Sequence, residues 1–166
     1  MVTCFLTRRD EDDSERVLLL RRSRRVGTYR GRWAGVSGYL EAPDPLAQAY
    51  RELREETGLP RDDVRLLAAG DPLAVDDESL GVRWVVHPFL FRLLPGREPV
   101  LDWEHTESRW VASSQMGRFK TVPALREALD RVYRGRDSGA GRAGSSARGG
   151  AARRGAEEAG PGGAWQ

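Results

Sequence analysis

Short apolar-rich runs punctuated by polar and glycine-bearing segments divide the chain into elements. Val2–Thr7 and Arg16–Arg21 read as two strands joined by an acidic loop. Arg32–Leu40, Val64–Ala69 and Glu107–Ala112 read as further strands, and the long run Arg83–Leu94 is apolar enough for a strand buried on both faces. Two stretches carry the helical period instead. Pro45–Gly58 places Leu46, Ala49, Tyr50, Leu53 and Thr57 on one stripe, and Val122–Arg134 does the same with Leu125, Ala128, Leu129 and Val132. Two helices flanking a mixed β-sheet predict an α/β fold, an α/β/α sandwich.

The first helix has clear ends. Asp44 is suited to the N-cap, and Pro45 to the first helical position, where a missing N–H costs nothing. Gly58 follows the last periodic residue, where a left-handed C-terminal residue is expected.

Composition changes the picture mainly at the C-terminus. The 166 residues suit one domain with a modest core. Residues 135–166 hold 10 of the 19 glycines, with many alanines and arginines and little aliphatic bulk. Such a segment buries too little apolar surface to offset its ordering, which predicts a domain over 1–134 and a disordered Gly/Ala/Arg-rich tail over 135–166. The tail has five arginines against Asp137, Glu157 and Glu158, so it carries the whole net charge of +2 and the remainder is balanced at 22 of each sign. The sequence pI of about 9.0 therefore does not point to a nucleic-acid-binding domain. Nucleic-acid contact is expected to be at most a weak one by the Arg/Gly tail.

The lone Cys4 lies in an apolar run, where a small buried hydrophobe is expected; it builds no disulfide framework and suits a reducing compartment. No apolar stretch approaches the 18 or so residues of a membrane span, and Asp10–Asp13 is unlike a targeting peptide. A cytoplasmic protein with no membrane partner is expected.

The candidate chemistry begins on the first helix. Glu52, Glu55 and Glu56 occupy one arc of roughly 100°, pointing away from the apolar stripe. Clustered carboxylates repel, and a hard divalent cation, which seeks oxygen ligands, removes that repulsion. A solvated acidic face partnered by Arg51 and Arg54 is the alternative. The preceding stretch Gly31–Glu41, with glycines at 31, 35 and 38, adds tight turns and close backbone approach to a ligand.

Together these residues resemble the Nudix box, G-x5-E-x7-R-E-U-x-E-E-x-G-U with U a bulky aliphatic residue. Gly38 matches the first glycine, and Arg51-Glu52-Leu53, Glu55-Glu56 and Gly58-Leu59 match the second half. The first half departs from the pattern: Asp44 stands for the first glutamate, with six residues rather than seven before Arg51. The resemblance implies a Nudix-type α/β/α sandwich and a hydrolase that cleaves a diphosphate linkage in a nucleoside diphosphate joined to another group. It also implies Mg²⁺ as cofactor, with Mn²⁺ as a substitute, held by Glu52, Glu55, Glu56 and the Gly38 carbonyl, and Arg51 folding back on a box glutamate.

Other residues add candidates. Segments similar to Leu101–Val111 carry an extra glutamate near the metal in this family, so Glu107, and after it Glu104, is the expected base; a surface acidic loop is the alternative. Arg22, in the basic run Arg21–Arg25, is expected to meet substrate phosphates, unless the run merely balances the acidic loop. Trp33, Tyr39 and Trp103 are candidates to stack on a base, Trp33 equally a core residue. His105 is expected either to orient a carboxylate or a substrate or to be an exposed loop histidine, and His87 to sit in the core; with no cysteine nearby, neither suggests zinc. A catalytically weak nucleotide-sensing or regulatory module within a larger protein stays open because of the shortened turn. An RNA-associated protein using the tail is a third reading.

Overall fold

The computed structural model describes residues 1–41 and 43–143. In chain order it holds β1 (Val2–Arg9), β2 (Glu15–Arg22), β3 (Trp33–Ala34), β4 (Val36–Gly38), α1 (Pro45–Thr57), β5 (Val64–Ala69), β6 (Leu73–Asp77), β7 (Val82–Leu93), β8 (His105–Val111) and α2 (Leu125–Ala143). The strands lie in the order β3-β2-β1-β7-β5, with β4 also on β1, β6 on β7 and β8 on β2. β1 runs parallel to β7, from Val2 opposite His87 to Thr7 opposite Arg92. The other pairings are antiparallel. The expected mixed sheet between two helices is therefore present.

Strand periodicity explains why two helices are needed. Successive side chains leave opposite faces of a sheet. Val2, Cys4 and Leu6 of β1, Leu18 and Leu20 of β2, and Phe89 and Phe91 of β7 pack with Ala49 and Leu53 of α1. The intervening Phe5, Val17, Leu19 and Leu90 pack with Leu125, Ala128, Leu129 and Val132 of α2. The central strands thus read as continuous apolar runs because both of their faces are covered. Cys4 is fully buried on the α1 side, as its apolar surroundings suggest.

Four details differ from expectation. The single strand expected over Arg32–Leu40 is split: β3 pairs with β2, whereas β4 pairs with β1. The switch comes at Gly35, where a Cβ would stand 2.8 Å from the Cys4 carbonyl oxygen. β7 is buried mainly from Val86 onward, while Val82, Arg83 and Val85 are exposed. Its first half pairs with β6, a five-residue strand ending in Asp76 and Asp77, too short to stand out in the sequence. His87 is only partly buried.

The fourth difference is at the C-terminal end. α2 continues to Ala143, past the expected boundary at 134. Polar anchoring does there what apolar bulk does not. Arg136 Nη1 donates to both Glu15 carboxylate oxygens at 2.9 and 3.0 Å, and the Tyr133 hydroxyl donates to Glu15 at 2.9 Å. The rest of the expected tail, 144–166, lies outside the described residues. Among the described residues no helix is long and apolar enough to cross a membrane.

Candidate active site

α1 begins and ends as its sequence suggests. The Asp44 side chain accepts from the Leu46 amide at 3.0 Å, and Gly58 closes the helix in the left-handed region at φ 66°. The three glutamates, however, meet three environments. Glu55 is exposed, Glu52 is half-buried, and Glu56 is only 3% exposed. At about 100° per residue, Glu56 projects only about 20° from Ala49, at the edge of the apolar stripe rather than opposite it. The expectation that all three point away from the stripe is corrected for Glu56.

Glu56 is held from two sides. Its Oε1 accepts the Ser37 backbone N–H at 3.1 Å, which ties α1 to β4. Its Oε2 is buried with no hydrogen-bond donor. His105 Nε2 stands 3.6 Å from that oxygen, and His105 Nδ1 stands 3.4 Å from Asp102 Oδ1. Burial pushes the Glu56 carboxyl well above the usual range, against the Ser37 amide that favours its ionised form, and the charges of Glu52, Glu104 and Asp102 add to the rise. Burial likewise lowers the His105 imidazolium, opposed by Asp102. His105 is 6% exposed, so it is not a loop histidine in solvent; it lies beside the Glu56 and Asp102 carboxylates, the first of its expected places, and does not line the cavity.

Glu52 is set against Gly38. A Cβ added at Gly38 would fall within the Glu52 carboxylate, so only glycine lets the two approach. Gln48, one turn earlier on α1, donates to Glu52 Oε1 at 2.7 Å. Burial raises the Glu52 pKa, partly offset by that hydrogen bond.

A cavity of about 290 Å³ opens beside these groups. Glu52, Gly38, Ser37, Arg22 and Glu104 form its polar end, and Leu73, Val75, Trp84, Val86 and Leu125 its apolar end. Tyr39 stands at the rim, 64% exposed, its ring centroid 5.8 Å from that of Trp84. Glu104 has a raised pKa, first from burial and next from Asp102, with Arg22 opposing.

Several candidates lie elsewhere. Glu107 faces Arg21 across the β8–β2 pairing. Its carboxylate accepts from Arg109 at 2.6 and 2.8 Å and from Arg21 at 3.4 Å, and these bonds, Arg109 first, hold its pKa low. Of the two candidate bases, Glu104 lines the cavity and Glu107 does not. Trp33 packs edge-on against Phe119 at 5.2 Å within the α2-side core and does not line the cavity. Arg51 pairs with Glu41 at 2.8 Å rather than with a box glutamate, while Asp44 serves as the helix cap. Sequence reasoning assigned no role to Ser37, Gln48 or Trp84. Only Gln48, four residues before Glu52 on the same helix face, left a signal that could have been read.

Among the described residues, no group of three or more His, Cys, Asp or Glu side chains converges into a preformed metal cluster. Mg²⁺ does not require one, since it takes one or two carboxylates and keeps waters and substrate oxygens as its other ligands. The orphaned Glu56 Oε2, and the Glu52 carboxylate set on Gly38, fit a hard cation of that kind. Of the three glutamates only Glu52 lines the cavity; Glu55 is exposed outside it, and Glu56 lies buried behind Ser37.

A model of the NUDIX domain matches residues 1–132. Among solved structures, a Nudix hydrolase from M. smegmatis, RenU, superposes with a TM-score of 0.67 at 20% identity, over 80% of this chain and 82% of that one. A C. elegans Ap4A hydrolase binary complex gives 0.66 at 18% identity, over 80% of this chain and 93% of that one. The E. coli dihydroneopterin triphosphate pyrophosphohydrolase gives 0.56 at 20% identity, over 80% and 95%. At these identities the likeness is one of fold. No curated protein matches in sequence.

Proposed function

The chain belongs to the NUDIX family, and from that premise we propose that it is a Mg²⁺-dependent pyrophosphohydrolase cleaving a diphosphate linkage in a nucleoside diphosphate derivative. The observation that carries the reading is Glu56: a carboxylate buried without a donor on Oε2, held by the amide of Ser37, a residue that lines the cavity together with Glu52 and Glu104. A carboxylate in that position destabilises a protein unless a cation or proton meets it.

Glu52 and Glu56, with the Gly38 carbonyl, would hold the ion. A bound divalent cation neutralises phosphate oxygens and lowers the pKa of water. The chain supplies the rest. The Ser37 amide fixes one Glu56 oxygen and leaves the other for the ion. Gln48 orients Glu52. Glu104, whose raised pKa suits a base, accepts the proton of the attacking water at its carboxylate. Arg22, its Nε held by the Thr28 carbonyl at 3.0 Å, keeps its other donors for phosphate. The apolar end with Trp84, and Tyr39 at the rim, takes a planar base. The single buried thiol supports placing this activity in the cytoplasm. Two of the similar folds bear the names of an Ap4A hydrolase and a triphosphate pyrophosphohydrolase, which suits a phosphoanhydride target.

The test is product release from a panel of nucleotide sugars, dinucleoside polyphosphates, dinucleotide cofactors and nucleoside triphosphates, with Mg²⁺ or with EDTA. Metal-dependent turnover, lost in Glu56→Gln, is expected. Nucleotide-induced thermal stabilisation without turnover of any compound would favour the sensing module instead.

A further inference from the structure

Between Glu15 and Glu41 the chain contains no acidic residue but seven arginines, at 16, 21, 22, 24, 25, 30 and 32. In a domain that holds 22 charges of each sign, this is a local excess. Arg16 pairs with Asp10 and Arg21 with Glu107. Among the described residues, Arg22, Arg24, Arg25, Arg30 and Arg32 form no ion pair, whereas exposed arginines elsewhere, such as Arg51, Arg83 and Arg109, do.

The loop is held by neutral groups rather than by carboxylates. Arg30 Nε donates to the Val26 carbonyl at 2.9 Å, and Arg32 Nη1 to the Thr121 carbonyl at 3.1 Å. Each guanidinium keeps most of its five donors. The loop does not serve to neutralise the glutamates of the cleft either. Arg22 alone acts on Glu104, and no arginine figures among the influences on Glu52 or Glu56.

An exposed aromatic ring adjoins these cations. Trp103 is 55% exposed, and the Arg25 guanidinium lies over its ring at 5.5 Å. The platform is tied to the cleft. The Ser23 amide donates to the Glu104 carbonyl at 2.7 Å, the Arg25 amide donates to Ser23 Oγ at 3.1 Å, and Arg22 and Glu104 both line the cavity.

We propose that the arginine loop and Trp103 form a second subsite outside the cavity, which takes the outer phosphates and second planar ring of a dinucleoside polyphosphate. The argument rests on the cavity being the nucleotide cleft. A nucleoside diphosphate sugar would place both of its charges in that cleft and offer only hydroxyls to the loop. A bridge of three or more phosphates carries anions outward to Arg24 and Arg25, where guanidinium forks match phosphate geometry. A terminal base then meets Trp103, since every base has a face that stacks.

The test is calorimetric titration of the full chain with Mg²⁺, using a methylene-bridged dinucleoside tetraphosphate, ADP and a short single-stranded RNA. The wild-type protein is expected to bind the tetraphosphate about tenfold or more tightly than ADP. Trp103→Ala, and the pair Arg24→Glu with Arg25→Glu, should each remove most of that advantage while leaving ADP affinity within about twofold. All three side chains are exposed, and an unchanged Tm verifies folding. A tetraphosphate bound no better than ADP, or an advantage that survives both changes, overturns the proposal. RNA bound as tightly and lost in the same variants also overturns it, in favour of a nucleic-acid contact. The readout is equilibrium binding, so a protein that hydrolyses nothing would sink the hydrolase reading and still decide this one.

Discussion

α1 and α2 cover opposite faces of one sheet, yet they bury different things. The inward row of α2 is Leu125, Ala128, Leu129 and Val132, all apolar. The buried residues of α1 are Gln48, Ala49, Leu53, Glu56 and Thr57, and two of their oxygens, Gln48 Oε1 and Glu56 Oε2, lack a donor. The Thr57 hydroxyl is returned to the Leu53 carbonyl of its own helix. An unpaired buried carboxylate costs several kcal/mol, so a sequence under selection for stability alone would not keep one. One face of the molecule is built to be stable, and the other gives up stability for a charged site.

The sharpest way to break this comparison is Glu56→Gln. Mg²⁺-dependent turnover should fall about a hundredfold or more, while the metal-free protein should melt a few degrees higher. A variant that lost activity and stability together would make Glu56 a structural residue and erase the contrast. Glu104→Gln should lower kcat by about a hundredfold if its carboxylate takes the proton. On the other face, Leu129→Ala should destabilise the fold by about 2–5 kcal/mol, because Leu129 is fully buried. Denaturant unfolding should record that loss, and kcat measured well below the lowered Tm should stay within about twofold of wild type.

The same contrast explains what could be read from the chain. The α2 face was legible because burial there follows the helical period alone. β1, β2, β5 and the buried part of β7 were legible as apolar runs, and α1 through Asp44, Pro45 and Gly58. The burial of Glu56 was not, because a distant segment decides it. The Asp102 amide donates to the Glu56 carbonyl at 3.3 Å and the Val100 amide to the Thr57 carbonyl at 2.9 Å, so residues 100–105 lie over the end of α1. His105 is buried by the same closure. Trp84 faces the cavity only because β6 folds back on β7, and β6 is a five-residue strand. Arg51 finds Glu41 rather than a box glutamate, a choice of partner that spacing along the helix does not determine.

Two subtler changes sharpen the contrast. Gly38→Ala adds a methyl where the Glu52 carboxylate lies, so Glu52 must swing away. Mg²⁺ affinity, read by metal titration, should weaken about tenfold with little change in metal-free stability. The pH dependence follows from the direction of the Glu56 shift. Its folded pKa is raised, so its contribution to metal-free stability is fully present below the unfolded carboxylate range. That contribution is lost as pH rises through the folded value. The metal-free Tm should therefore fall as pH climbs above the ordinary carboxylate range, and Mg²⁺ should restore it on the alkaline side. A flat profile in wild type, or a fall that persists in Glu56→Gln, would remove Glu56 as its cause.

The smallest expected effect is that of Glu107→Gln. Glu104 and Glu107 are three residues apart, but β8 begins between them at His105, and the start of the strand separates their fates. Glu104 precedes β8 and lines the cavity, where burial and Asp102 raise its pKa. Glu107 lies within β8 opposite Arg21 and is absorbed by Arg21 and Arg109, which hold its pKa low. A carboxylate engaged by two guanidinium groups and held ionised in this way is a poor base, and exposed ion pairs contribute little to stability. Turnover and Tm of Glu107→Gln should both stay close to wild type, within about twofold in kcat. A loss comparable to that of Glu104→Gln would bring the β8 carboxylate back into the chemistry and would require the cavity wall to extend along β8.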